Sequence, residues 1–60
     1  MRRKKLILAR HTMEYSQMFV ADALSVSQSY YSKIELDQAR PSLEQIKILI
    51  KLLNITIDDL

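Results

Sequence analysis

The sequence predicts an all-α fold. Three observations carry that prediction. Apolar residues recur at helical spacing, period-two β-branched alternation is weak, and glycine is absent while proline occurs once. The chain has 60 residues, so it holds one domain at most, taken as 1–60. A chain this short buries only about 60% of its unfolded surface, so its core must be efficient or helped by a partner.

Helix one is predicted over Arg3 to Thr12, where Leu6, Ala9, Arg10 and Met13 share one face and Ile7 and Leu8 point elsewhere. Helix two starts at Ser16, whose hydroxyl oxygen suits the free amides of a first turn. Val20, Ala21 and Leu24 make its inner face. Helix three starts at Ser27, again a capping residue, with Tyr31, Ile34 and part of Tyr30 facing in. Pro41 keeps any helix from running through residue 40.

Helix four has the best start signal. Ser42 followed three residues later by Gln45 fits a capping box, and Glu44 suits the positive first turn. Leu43, Ile46, Leu49, Ile50 and Leu53 form a wide apolar stripe. Asn54 fits a left-handed cap, and Thr56 starts a last short turn with Asp58 and Asp59 near its positive end. Ile55, Ile57 and Leu60 are expected to close the core. The chain stops on a residue expected to be buried, which suggests that the natural protein continues.

Hydrophobic residues make up 48% and charged residues 27%, as in an ordinary soluble domain. There is no cysteine, which excludes disulfides and thiolate metal sites. His11 stands alone as histidine and reads as a solvated residue near a helix end. No apolar run approaches the roughly 18 residues needed to span a bilayer. The opening MRRKKLILAR puts charge before apolar residues, but LILA is too short for the h-region of a signal peptide. A cytoplasmic protein is expected, with no membrane partner.

Charge is uneven. Arg2, Arg3, Lys4, Lys5 and Arg10 crowd the first ten residues, whereas residues 11 to 60 hold four basic and seven acidic side chains. A basic end on a near-neutral body points to an anionic partner, nucleic acid first. Arg2, Arg3, Lys4 and Arg10 are therefore expected on phosphates.

The stretch SVSQSYYSKIE sharpens that reading. From Ala23 to Ile34 the chain carries no acid. Only Ser25, Val26 and Ser27 separate helix two from helix three, so the two helices meet at a sharp angle, the helix-turn-helix arrangement over about 16–35. Ala21 is small where they cross, and Val26 plugs the corner. Helix three, 28–35, then presents Gln28, Ser29, Ser32 and Lys33 outward. Gln bonds adenine bidentately, Ser gives or accepts, and Lys reaches guanine or a phosphate. An acid there would be repelled by the phosphates flanking the major groove.

SQMFVADALSVSQSYYSKIELDQARPS resembles the helix-turn-helix of the lambda-repressor/Cro-like family, also called XRE-like. The resemblance runs from about Leu6 to Leu60. Arg10, Ser16-Gln17, Val20-Ala21, Val26-Ser27, Tyr31, Ser32-Lys33-Ile34-Glu35, Pro41-Ser42-Leu43, Leu53 and Ile57-Asp58-Asp59-Leu60 carry it by their joint spacing.

The resemblance implies a compact four- to five-helix lambda-repressor-like DNA-binding domain. It implies that Gln17 bonds a phosphate and braces the recognition helix. Gln28 and Ser29 read bases first, Lys33 follows one turn on, and Ser27 caps the helix and touches DNA. Arg10 and Glu35 form a pair joining helix one to the end of helix three, and Arg40 lies along the sugar–phosphate backbone. The family's glycines are replaced here by Glu14, Ser25 and Asp37, at about 1 kcal/mol each if those positions are left-handed. Leu36 stands where a polar residue is common. Tyr30 is bulky for its position; either its hydroxyl donates to a phosphate or its ring packs on helix two.

The expected function is sequence-specific double-stranded DNA binding by a small transcriptional regulator, a repressor acting as a homodimer on inverted-repeat half-sites. No cofactor is expected. Ile7, Leu8, Met18, Phe19, Ile48 and Leu52 are left over from the core, and a cluster among them would mark a dimer interface or a protein partner. The alternative function is accordingly a protein-interaction module, antitoxin-like or part of a larger regulator. No paired carboxylates, nucleophile–base set, phosphate loop or metal-ligand pattern suggests an enzyme.

Overall fold

The computed structural model describes residues 2–60, all helix, turn and loop, with no strand among the described residues. Four α-helices follow one another: α1 (Lys4–Thr12), α2 (Gln17–Ala23), α3 (Gln28–Glu35) and α4 (Leu43–Leu53). A single 3-10 turn, Ile57–Asp59, closes the chain. Among the described residues no helix is long and apolar enough to cross a membrane.

Serine oxygens set three of the four helix starts. Ser16 accepts from the Phe19 amide and Ser27 from the Tyr30 amide, each at 3.0 Å. The Ser42 hydroxyl accepts from the Gln45 backbone amide at 3.2 Å while the Gln45 side-chain Oε1 accepts from the Ser42 backbone amide at 2.8 Å, the reciprocal box expected from sequence. The exception is α1. It begins at Lys4, one residue later than expected, and Arg3 stands at its cap without a side-chain bond to the first turn. The Arg3 side chain is engaged elsewhere.

The core is built by one stripe from each helix. Leu6 comes from α1, Val20, Ala21 and Leu24 from α2 and its end, Tyr31 and Ile34 from α3, and Leu49 and Leu53 from α4. Ala9, Tyr15, Val26, Ala39, Leu52, Ile55 and Leu60 pack around them, half-buried. Val26 thus plugs the corner between α2 and α3, its amide turned back to the Ala21 carbonyl at 3.0 Å.

Three expected core residues are placed differently. Leu43 is 64% exposed, because the α4 stripe begins one turn later at Ile46. Ile57 is 61% exposed, since the 3-10 turn directs Ile55 and Leu60 inward in its place. Met13 lies past the end of α1 and is exposed. Of the apolar residues left over, Leu52 joins the core and Ile7 is half-buried, while Leu8, Met18, Phe19 and Ile48 are exposed. Phe19 is not bare: its ring lies 4.5 Å from that of Tyr15.

The turns are left-handed where the family's glycines are replaced. Glu14 and Ser25 have φ 59° and Asp37 has φ 61°. Asn54, at φ 54°, closes α4 as expected. The Ser25 amide donates to the Asp22 carbonyl at 3.0 Å. The turn between α2 and α3 therefore keeps its left-handed form without glycine.

Candidate nucleic-acid interface

Helix α3 carries its polar residues outward and its one acid inward. Ser27, Gln28, Ser29 and Lys33 are exposed and Ser32 is half-buried. Gln28, Ser29, Ser32 and Lys33 line one shallow depression together with Gln17 from the start of α2. The tertiary structure thus brings four of the five expected base-reading residues onto a single face with the expected bracing glutamine. Ser27 sits at the N-terminus of the same helix, its hydroxyl held by the Tyr30 amide.

Glu35 is turned away from that face. Its carboxylate accepts from Arg10 Nε at 2.6 Å and from a second Arg10 nitrogen at 3.3 Å. Gln17 Nε2 donates to it at 2.9 Å. One carboxylate therefore ties α1, the first turn of α2 and the last turn of α3 together. Both charged side chains are shut away from water, 10% and 4% exposed. Burial alone pushes the Glu35 carboxyl up, but the hydrogen bonds from Arg10 and Gln17 and the Arg10 charge outweigh it and leave it below the usual carboxylate range. Arg10 is raised in turn, chiefly by its bond to Glu35.

The Tyr31 hydroxyl lies buried beside this pair and has no hydrogen-bond partner. Burial drives its ionisation far above the usual tyrosine range, and the neighbouring carboxylate adds to the effect.

The basic residues divide into two groups. Arg2, Lys4 and Arg40 are exposed and open to an anion. Arg3 and Arg10 are not. Arg10 was expected both on phosphate and in an ion pair, and the structure holds it in the ion pair, its third nitrogen donating to the Tyr15 carbonyl at 3.0 Å. Arg3 was expected on phosphate, yet its guanidinium donates to the Ile34 and Ala39 carbonyls and meets Asp37 at 3.3 Å. Its side chain is only 14% exposed. A guanidinium is drawn to such carbonyls because hydrogen bonds from a charged donor are stronger than neutral ones.

Tyr30 was expected either on a phosphate or against helix two, and it has a further partner within the chain. Its hydroxyl donates to the Arg40 carbonyl at 3.1 Å, bracing the loop after α3. His11 is exposed, as expected of a solvated residue. Among the described residues no group of three or more histidines or carboxylates is placed to hold a metal ion.

Sequence reasoning missed the inward role of Arg3. In RRKK it looks like its neighbours, and its partners lie 31 and 36 residues away. The only available signal was indirect: the last four carbonyls of any helix have no partner within it.

In comparison with known proteins, the helix-turn-helix family model matches residues 6–60. No curated protein and no solved structure matches the chain.

Proposed function

The chain belongs to the lambda-repressor-like, or XRE-like, helix-turn-helix family of DNA-binding regulators, and from that premise we propose that it reads a specific duplex sequence as a single 1–60 domain. Helix α3 enters the major groove. Gln28, Ser29, Ser32 and Lys33 meet base edges, and Ser27 touches the duplex at the helix start. Gln17, Arg2, Lys4 and Arg40 contact phosphates. Base contacts set specificity, while phosphate contacts set register and affinity.

One observation carries this reading. The outward face of α3 is polar and free of acid, and its only carboxylate is consumed inside by Arg10 and Gln17. A face that met only water would have no reason to exclude acids. The finer proposal is a cytoplasmic repressor, a homodimer on inverted half-sites about one helical turn apart, which occludes polymerase.

Binding-site selection from randomised duplex DNA at near-physiological salt tests it. An enriched inverted repeat supports both reading and dimer. Salt-sensitive retention with no enriched sequence means that the basic residues hold phosphate without reading bases. The second reading, a protein-interaction module, would then take over. The exposed Leu8, Met18, Phe19 and Ile48 favour it.

A further inference from the structure

We propose that Arg3 is a positioning residue for base reading: it clamps the C-terminal end of α3 and the loop after it, and so sets where Lys33 and Arg40 stand. The inference rests on the DNA-reading function proposed above.

The last four carbonyls of a helix have no partner within it. In α3 the Ser32 and Lys33 carbonyls accept from the Leu36 and Gln38 amides at 3.1 and 2.8 Å. The Ile34 carbonyl accepts a long Asp37 amide bond of 3.2 Å. The Glu35 carbonyl is reached from outside the helix, by the Arg3 backbone amide at 2.8 Å. The Arg3 guanidinium then supplies a second donor to Ile34 and one to Ala39 at 3.1 Å. Both the main chain and the side chain of one residue thus close the end of the recognition helix. A cation at a helix C-terminus also opposes the dipole there.

The same guanidinium meets Asp37 at 3.3 Å, and Asp37 holds a left-handed backbone at φ 61°. It bonds Ala39, the residue before Arg40. The clamp therefore spans the last turn of α3 and the loop through Ala39. Lys33 lies on that turn, its carbonyl fixed by Gln38. Gln28 and Ser29 lie at the opposite end of α3, where the Ser27 cap holds the first turn without Arg3. The clamp therefore governs one end of the reading face and leaves the other alone.

The test compares the unaltered chain with Arg3→Gln, Asp37→Asn and the double variant. Affinity is measured against salt for the selected duplex, site selection is repeated, and amide exchange is followed in the free proteins. Arg3→Gln is expected to lose affinity roughly tenfold, the scale of a charged hydrogen bond, with an unchanged slope of log affinity against log salt. Preference should relax at the base pair facing Lys33 and hold at the one facing Gln28. Amide protection at Asp37 and Gln38 should fall in both single variants, and the double variant should lose less affinity than the two losses combined. Asp37→Asn removes a negative charge yet should gain no affinity; it carries the test if Arg3→Gln fails to fold.

A slope reduced by about 0.9 in Arg3→Gln would make Arg3 a phosphate contact and overturn the clamp. So would tighter binding by Asp37→Asn. Lower stability with unchanged affinity and preference of the folded protein would reduce Arg3 to a cap with no part in reading. If the unaltered chain selects no site at all, the function proposed above falls and takes the positioning role with it. A failure confined to the variants overturns this inference alone.

Discussion

Arg10 and Glu35 stand 25 residues apart in the chain and meet at 2.6 Å inside it, the Arg10 Nε donating to Oε2. The pair joins α1 to the last turn of α3. Gln17 joins the same carboxylate, so the scaffold of the reading face converges on one buried charge.

Removing one partner leaves the other buried and alone, at a cost of about 3–5 kcal/mol. A small domain has little more stability than that. Arg10→Met should therefore leave much of the protein unfolded at 25 °C, read by circular dichroism and urea titration. Arg10→Met with Glu35→Leu should recover part of the loss. A single variant as stable as the parent would mean that the pair contributes nothing net.

Acid should weaken the fold through the same carboxylate. Glu35 is depressed in the folded state, so its contribution is fully present above the ordinary glutamate value of about 4.3 and is lost as pH falls through its lower folded value. Stability measured against pH should fall as pH drops below the ordinary glutamate range and Glu35 takes up its proton. Glu35→Gln should be less stable at neutral pH and show a flatter acid limb. An acid limb identical to the parent's would assign the effect to other carboxylates.

Ser25 holds φ 59° without glycine's freedom and, unlike Asp37, has no ion pair to hold it there. Relief of left-handed strain, about 1–2 kcal/mol, exceeds the extra chain entropy glycine brings, about 0.5–1 kcal/mol. Ser25→Gly should therefore stabilise by about 0.5–1 kcal/mol in urea denaturation. A destabilised variant would show that the Ser25 side chain has a role in the turn.

The Tyr31 hydroxyl is buried and unpaired. Removing an unsatisfied polar atom relieves its desolvation, about 1–3 kcal/mol. Tyr31→Phe should be neutral or stabilising in thermal melting. A clear loss would reveal a bond between this hydroxyl and the Arg10–Glu35 pair.

On the reading face, Gln28→Ala should relax preference at one base pair by about 1–3 kcal/mol and leave the salt dependence intact. Arg2→Ala should weaken every sequence alike and lower the salt slope by about 0.9. Competition binding on a panel of single-base variants at several salt concentrations separates the two. If Gln28→Ala weakens all sites equally, α3 does not lie in the groove as proposed.

Much of this protein was legible because its signals are local. The serine caps, the capping box at Ser42 and Gln45, the left-handed Asn54 and the short Ser25–Ser27 turn each depend on residues within a few positions. Those positions alone place the starts of α2, α3 and α4 and angle α3 against α2. The buried stripes followed from spacing, except at their ends. Leu43 and Ile57 failed there, because the first residue of a helix or turn faces wherever the incoming chain leaves it, and periodicity carries no information on that.

The sequence by itself determined the all-helical class, the helix-turn-helix and the acid-free face of α3, because caps, turns and side-chain period act over one or two turns of chain. Only the tertiary structure decided which cations face outward. Arg2 and Arg3 are adjacent and chemically identical, yet one is solvated and the other closes the end of a helix more than 30 residues away. What separates them is the Ile34 and Ala39 carbonyls, at the end of α3 and in the loop after it, and the Asp37 carboxylate beside them, which no reading of neighbours along the chain brings next to Arg3.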